Sequence, residues 1–335
     1  MRRLVGWGSV VVLIALLAAG AWTYANLERP YKGYAAVEQF VEIPPGTRSK
    51  KMGQRLADAG VIRSAGTFRL AVWMRGAGRR LQAGEYRFDK PMTTAQVVDK
   101  LARGDVFVRS ITFPEGLSLR DMAALFQARG LGAGADFIAA SKNAGLVARI
   151  DPAARDLEGY LFPDTYTRTR SMTAADLVAR MVKRFDKALS PKMIEQAAAR
   201  GMNVRQLVTL ASLVEKETGK ADERATVAGV YANRLKIGMG LQCDPTVIYA
   251  LILAGRYDGN IRREDLQIDS PYNTYRYAGL PPGPVAAPGE ASLRAAANPA
   301  AVPDLYFVSR GDGSHVFATT LDEHNRNVNE FQRGR

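Results

Sequence analysis

Length, composition and charge already exclude several classes of protein. The chain has 335 residues, 47% of them hydrophobic, which is enough for folded cores, and its single cysteine excludes an intramolecular disulfide. Two histidines argue against a histidine-built metal site, and the formal net charge of +13 favours an anionic membrane surface or cell-wall polymer as partner.

The N-terminus predicts a membrane anchor. Residues 4–27 carry no charged side chain, and a run of this length can cross a bilayer as a helix. Arg2 and Arg3 precede the run, so residues 1–3 are expected to form a cytoplasmic tail and the rest of the chain to lie outside the cytoplasm. The small residues at 19–21 leave open a cleaved signal peptide. Both alternatives export the chain, so we expect no nucleic-acid partner.

Beyond a stalk at residues 28–40, residues 41–152 contain two copies of a β-turn-α pattern. Gly46 matches Gly116, and Gly60 matches Gly130, each pair 70 residues apart. Units of this kind resemble LysM modules, which bind cell-wall glycan, so glycan binding and a purely structural role both remain open for this region. A change to small and polar residues near 151–155 predicts a second domain at 153–335. Strands cluster apart from helical runs, which indicates an α+β fold with a LysM-like α/β subdomain and a mixed helix-plus-strand domain.

Residues 203–219 predict a buried helix that ends in two acids. Nearly every residue between 207 and 214 is apolar, and Gly219 stands where a helix is commonly stopped. Burial and the helix C-terminus both raise the pKa of a carboxyl group, as general-acid chemistry requires. Glu215 and Glu217 point about 200° apart, so only one of them can act on a given substrate atom. Periodicity does not decide between them, and satisfaction of both by Lys216 and solvent is the simpler interpretation.

Other candidate residues have simpler structural interpretations. Glu158 and Asp164 lie in a rigid aromatic loop, where capping and turn formation explain them. A Ser-His-Asp triad using His315 or His324 is disfavoured because the chain contains no nucleophile-elbow sequence. Cys243 is expected to be a small buried thiol.

Several segments, taken together, closely resemble the YceG-like family. They are EGYLFPDTY at 158–166, ASLVEKET at 211–218, VYANRL at 230–235, LQCDPTVIY at 241–249, YNTYRYAGLPPG at 272–283, residues 288–293, ANP at 297–299 and LYFV at 305–308. The resemblance implies a bacterial enzyme of the plasma (inner) membrane, with its catalytic domain on the periplasmic side and cell-wall synthesis machinery as a possible partner. It implies cleavage of the β-1,4 bond between N-acetylmuramic acid and N-acetylglucosamine inside peptidoglycan strands, leaving a 1,6-anhydro end.

The resemblance also implies roles for individual residues. Glu215 carries over as the catalytic acid, with no cofactor and no metal. Family members often have Thr or Ser where this chain has Cys243, which puts a hydroxyl contact there in doubt. We expect the residues that orient the sugars to be Gln242, Asp244, Thr246, Tyr272, Asn273 and Tyr275. Two alternatives remain, namely an anchored glycan-binding scaffold without activity and a muramidase that hydrolyses the same bond.

Overall fold

The computed structural model describes residues 14, 17, 20, 21, 24, 25, 27–169 and 172–333. Within this part of the chain there are twelve α-helices and three two-stranded sheets, which confirms the predicted α+β class. None of the helices in the described part is both long and apolar enough to cross a bilayer. The predicted tail and span at residues 1–27 fall mostly outside the described residues.

The chain divides into two compact units. One contains residues 1–109 and 167–171, and the other contains residues 110–166 and 172–335. This division differs from the boundary expected near residue 152, because the second β-turn-α copy belongs to the second unit. Its side chains Phe113, Met122 and Phe126 are buried in the hydrophobic core of that unit.

The first unit follows the order β-α-α-β-α. Its elements are β1 (Gln39–Ile43), α1 (Ser49–Asp58), α2 (Ala65–Met74), β2 (Gly84–Phe88) and α3 (Thr94–Arg103). β1 and β2 pair in antiparallel fashion, with Gln39 opposite Phe88 and Ile43 opposite Gly84. Alternating side chains of β1, such as Val41 and Ile43, are buried in the core of the unit. Its likeness to LysM modules stays a prediction.

The second unit opens with the predicted second copy: β3 (Arg109–Thr112), α4 (Leu119–Ala128) and α5 (Gly134–Ser141). Gly46 and Gly116 have φ of 76° and 78°, and Gly60 and Gly130 have φ of 69° and 65°. These left-handed conformations favour glycine, so the matched glycines turn the chain in the same way in both copies. That the two segments are copies of one unit stays a prediction. β3 pairs with β4 (Thr165–Arg168).

The remaining helices of the second unit surround one buried helix. They are α6 (Ala174–Ala188), α7 (Pro191–Ala198), α8 (Val204–Glu217), α9 (Arg224–Lys236), α10 (Asp244–Leu253), α11 (Glu290–Ala297) and α12 (Leu321–Val328), with the antiparallel hairpin β5 (Tyr306–Ser309) and β6 (His315–Ala318) before the last. α7, α9, α10 and α11 all pack against α8. Every residue from Leu207 to Val214 is buried, which confirms the prediction of a buried central helix.

Candidate active site

α8 has a defined start and a defined end. Asn203 accepts a hydrogen bond from the Gln206 N–H at 2.9 Å, and the Gln206 side chain accepts one from the Asn203 N–H at 3.0 Å. This capping box fixes the first turn. The helix ends at Glu217 because Thr218 has extended backbone, with φ of −136°. Gly219 follows the end of the helix directly after Thr218, as predicted, but it is not among the glycines with positive φ.

Glu215 is held inside the fold. Its side chain is 5% exposed, Oε2 accepts a hydrogen bond from the Gly289 N–H at 2.9 Å, and Oε1 lies 3.4 Å from Nη2 of Arg224. Arg224 also donates from Nε to Oγ of Ser292 at 3.1 Å. Glu115 stands 3.7 Å from the same guanidinium group. Glu215 thus joins the start of α11 to the start of α9.

Glu217 opens into a cavity of about 340 Å³. The buried hydroxyl of Tyr231 donates to its Oε1 at 2.8 Å, and the buried thiol of Cys243 is a second hydrogen-bond partner. Burial raises the pKa of Glu217, although the bonds from Cys243 and Tyr231 oppose this rise. The predicted raised pKa at the end of this helix is therefore found at Glu217. Lys216 binds neither acid, since its Nζ donates to the Gly116 carbonyl at 3.2 Å.

The cavity has predominantly polar walls. The side chains around it are Glu217, Arg234, Leu241, Gln242, Asp244, Tyr275, Phe307, Val308, Ser309, His315, His324, Val328 and Gln332. The structure describes both acids at the end of α8, and Glu217 lines the cavity whereas Glu215 does not. A polar cavity with convergent amide, carboxyl, phenol and imidazole groups beside an acid whose pKa burial raises suits a sugar ligand.

Arg234 is a fixed cation on the cavity wall. It is buried, and its Nε donates to the Leu305 carbonyl at 2.6 Å while Nη1 donates to the carbonyls of Gly240 at 3.3 Å and Leu241 at 2.8 Å. It therefore ties α9 both to the approach to β5 and to the segment before α10. Sequence reasoning did not select Arg234 or Tyr231. Their spacing of three residues in VYANRL, which places them on one helix face, was the available signal.

Three of the six predicted sugar-binding residues line the cavity, namely Gln242, Asp244 and Tyr275. The Tyr275 hydroxyl donates to Oδ1 of Asp244 at 2.6 Å, which orients both side chains. Gln242 has a positive φ of 51°, the one such non-glycine residue in the described part of the chain. Backbone strain of this kind is concentrated at functional sites.

The other three predicted sugar-binding residues make internal contacts. Thr246 is buried and its hydroxyl donates to the Cys243 carbonyl at 2.6 Å. Asn273 is also buried, and its Nδ2 donates to two backbone carbonyls at 2.9 Å each. The ring of Tyr272 packs against that of Tyr249, with centroids 4.9 Å apart. These three residues hold α10 and the segment at 272–273 in place and are not on the cavity wall.

The two histidines face the same cavity. Nδ1 of His315 lies 2.7 Å from Oε2 of Glu223, and the His315 N–H donates to Oε1 at 2.9 Å. Burial alone would raise the pKa of Glu223, but the hydrogen bonds with His315 outweigh it and lower that pKa. His324 stacks on Tyr306 with ring centroids 5.2 Å apart. The imidazole of His315 is thus oriented by a glutamate and not by the aspartate that the disfavoured triad would use.

Glu158 and Asp164 have the structural roles that the sequence favoured. Glu158 is buried and accepts the Leu119 N–H at 3.1 and 3.2 Å and the Tyr249 hydroxyl at 3.1 Å, so it caps the start of α4. Burial raises its pKa to about 8. Asp164 pairs with Nε of Arg184 at 2.8 Å. Among the described residues, no group of three or more His, Cys, Asp or Glu side chains could hold a metal ion.

Comparisons with known proteins agree on one family. Residues 41–330 match the model of the YceG-like family. A protein of Bacillus subtilis named endolytic murein transglycosylase is 33% identical, with 93% of this chain and 90% of that protein covered. One of the same name from Streptococcus pneumoniae is 31% identical; the match covers 96% of this chain and 64% of that longer protein. The crystal structure of a YceG-like protein from Listeria monocytogenes superposes with a TM-score of 0.59 at 32% identity, covering 87% of this chain and 98% of that one.

Proposed function

This chain is a member of the YceG-like family, and from that premise we propose that it is an endolytic lytic transglycosylase of peptidoglycan. It cuts glycan strands internally at the β-1,4 bond between N-acetylmuramic acid and N-acetylglucosamine. The product ends in 1,6-anhydro-N-acetylmuramic acid. One observation carries the proposal: a glutamate with a raised pKa stands at the end of a buried helix, on the wall of a polar cavity.

The catalytic acid that the geometry supports best is Glu217. The assignment of Glu215 rests on the resemblance alone, and both carboxylate oxygens of Glu215 already bind protein groups. Glu217 also has two partners, Tyr231 and Cys243, but it lines the cavity, where a glycosidic oxygen could reach it. We therefore assign proton transfer to Glu217 and positioning of the neighbouring loop to Glu215.

The reaction needs only one such group. Protonated Glu217 donates its proton to the bridging oxygen as the bond from C1 of N-acetylmuramic acid breaks. The C6 hydroxyl of the same sugar attacks C1, and its proton returns to the Glu217 carboxylate, so the enzyme regains its starting state. The attacking hydroxyl is tethered within the substrate, and such tethering replaces the activated water that a hydrolase must position.

Paired substitutions test the assignment. Glu217→Gln should lower the rate of strand cleavage by about 10²–10⁴-fold, the range for loss of general acid–base catalysis, with the melting temperature nearly unchanged. Glu215→Gln is the matched control two residues away; it should retain most of the cleavage but melt at a lower temperature, because the pair with Arg224 is weakened. Full activity of Glu217→Gln together with an inactive, stable Glu215→Gln would restore the assignment from resemblance.

A second carboxyl group keeps the hydrolysing alternative open. Asp244 lies on the same cavity wall as Glu217, and glycosidases that hydrolyse use two carboxyl groups. Mass spectrometry of the products separates the reactions, since anhydro ends support transglycosylation and reducing ends support hydrolysis. Absence of both from the wild-type reaction would support the glycan-binding scaffold.

We also propose that residues 4–27 anchor the chain in the plasma (inner) membrane, with both units on the outer, periplasmic side. The uncharged run after two arginines supports this proposal. The full chain should stay with membranes in alkaline carbonate, whereas a chain without residues 4–27 should be released. Release of the full chain would contradict the anchor. Association with cell-wall synthesis machinery is likewise a proposal that rests on the resemblance.

A further inference from the structure

The first unit leaves two large apolar side chains in solvent at one helix end. Trp73 and Met74 are the last residues of α2, and they are 78% and 62% exposed. The opposite face of the same helix is in the core, where Phe68 and Val72 are buried. Two adjacent large apolar side chains in water lose the stabilisation that burial would give them, which indicates a contact surface.

The chain segment that contains this helix end is rich in arginine. Residues 59–84 contain five arginines and no acidic residue. All five are exposed, and four of them flank the apolar pair in the chain: Arg69, Arg75, Arg79 and Arg80. Arg75 forms an ion pair with Asp99 of α3. This pair offsets one of the four positive charges. We refer to Trp73, Met74 and these four arginines as the Trp73 tip.

The composition of the Trp73 tip fits a lipid surface better than a protein. A stable protein interface buries about 800 Å² on each partner, far more than two side chains at a helix end can cover. Tryptophan is enriched at the level of lipid head groups, where one end of its ring is wet and the other apolar. Arginine binds phosphate through its planar fork of donors. Both residue types therefore point to the same ligand.

We propose that the Trp73 tip docks on a bilayer rich in anionic phospholipid. The Trp73 ring and the Met74 side chain enter the head-group layer, and the surrounding guanidinium groups bind lipid phosphates. The contact goes beyond the proposed catalysis and requires neither Glu217 nor the cavity. The contact also does not involve residues 4–27, since none of them belongs to the Trp73 tip.

Fluorescence of Trp73 in the full chain tests the contact. Trp7 and Trp22 are replaced by phenylalanine, which leaves Trp73 as the single tryptophan. The protein is placed with bilayers of brominated phosphatidylglycerol and, separately, of brominated phosphatidylcholine. We expect strong quenching and a blue shift with the anionic lipid, and little of either with the zwitterionic lipid. No quenching with phosphatidylglycerol, or equal quenching with both lipids, overturns the proposal.

A matched pair of variants tests the arginines. Each cation near an anionic surface contributes about a fivefold change in the docking equilibrium, so Arg79→Ser with Arg80→Ser should weaken docking by roughly 25-fold. Arg129→Ser with Arg263→Ser changes the net charge equally at exposed positions of the second unit and should leave the quenched fraction unchanged. Equal effects of the two pairs overturn the proposal. Cleavage of soluble glycan strands by both variants should match the parent, so failure here is distinct from failure of the proposed function.

Discussion

Replacement of Tyr231 by phenylalanine isolates one hydrogen bond to the proposed acid. The phenol is 1% exposed and donates to Oε1 of Glu217 at 2.8 Å, so the variant loses a donor and little volume. A hydrogen bond to a charged group contributes about 1.5–3 kcal/mol, and the lower end applies because Cys243 and the open cavity still solvate the carboxylate. At 1.36 kcal/mol per unit, the pKa of Glu217 should rise by about one further unit.

The sign of the change is fixed by the mechanism. In the proposed mechanism cleavage needs protonated Glu217, so activity falls as pH rises through its pKa. A higher pKa moves this alkaline limb of the profile to higher pH. The pH profile of kcat/KM on purified glycan strands measures the shift. Cys243→Ser supplies a stronger donor to the same carboxyl group and should move the limb to lower pH.

Tyr160→Phe is the control for Tyr231→Phe. Tyr160 is also buried and donates to a carboxylate, that of Asp151, at 2.6 Å, but it is not on the cavity wall. Its removal should lower stability by about 1.5–3 kcal/mol, the range for a hydrogen bond to a charged group, without moving the pH profile. An alkaline limb that stays in place in Tyr231→Phe, or moves equally in Tyr160→Phe, would refute the argument that the Tyr231 bond tunes the acid.

Two further predictions concern stability. The pKa of Glu158 is raised to about 8 in the fold, so the folded state keeps a proton that the unfolded chain releases above pH 4.5. The free energy of unfolding should therefore fall by several kcal/mol between pH 4.5 and 8. Glu158→Gln should flatten that decline when unfolding is measured by chemical denaturation. A steeper decline in the variant would contradict the assignment. Gln242→Gly removes backbone strain at a φ of 51°, so the melting temperature should hold or rise while KM for glycan strands increases. Unchanged KM would show that the side chain does not bind the sugar.

Local patterns predicted much of the fold because the deciding interactions are close in sequence. The apolar run from 207 to 214 gave α8, and the four matched glycines gave the repeated turns. The β5–β6 hairpin likewise has a nearby cause, since Gly-Asp-Gly at 311–313 lies between its two strands. In each case the physical cause lies within a few residues, as helix periodicity and turn conformation require.

The choice between the two glutamates could not be made in the same way. Glu215 is held by Gly289, which lies 74 residues away, and Glu217 by Tyr231 and Cys243 from two other segments. Helix periodicity predicts the angle between the two side chains, but it does not identify the residues that each side chain contacts. Thr246, in α10, and Asn273, in a loop, show the same limit, because the fold turns both polar side chains inward to bind backbone carbonyls.

The limits of α8 restrict how this family member can change. The capping box at Asn203 fixes where the fourteen-residue helix begins, and extended Thr218 fixes where it stops, directly after Glu217. One inserted or deleted residue between them would rotate the acid by about 100° and shift it by about 1.5 Å relative to the capped end. Surface loops of the second unit can accept insertions, but a change in the length of this helix would remove the proposed proton donor from its cavity.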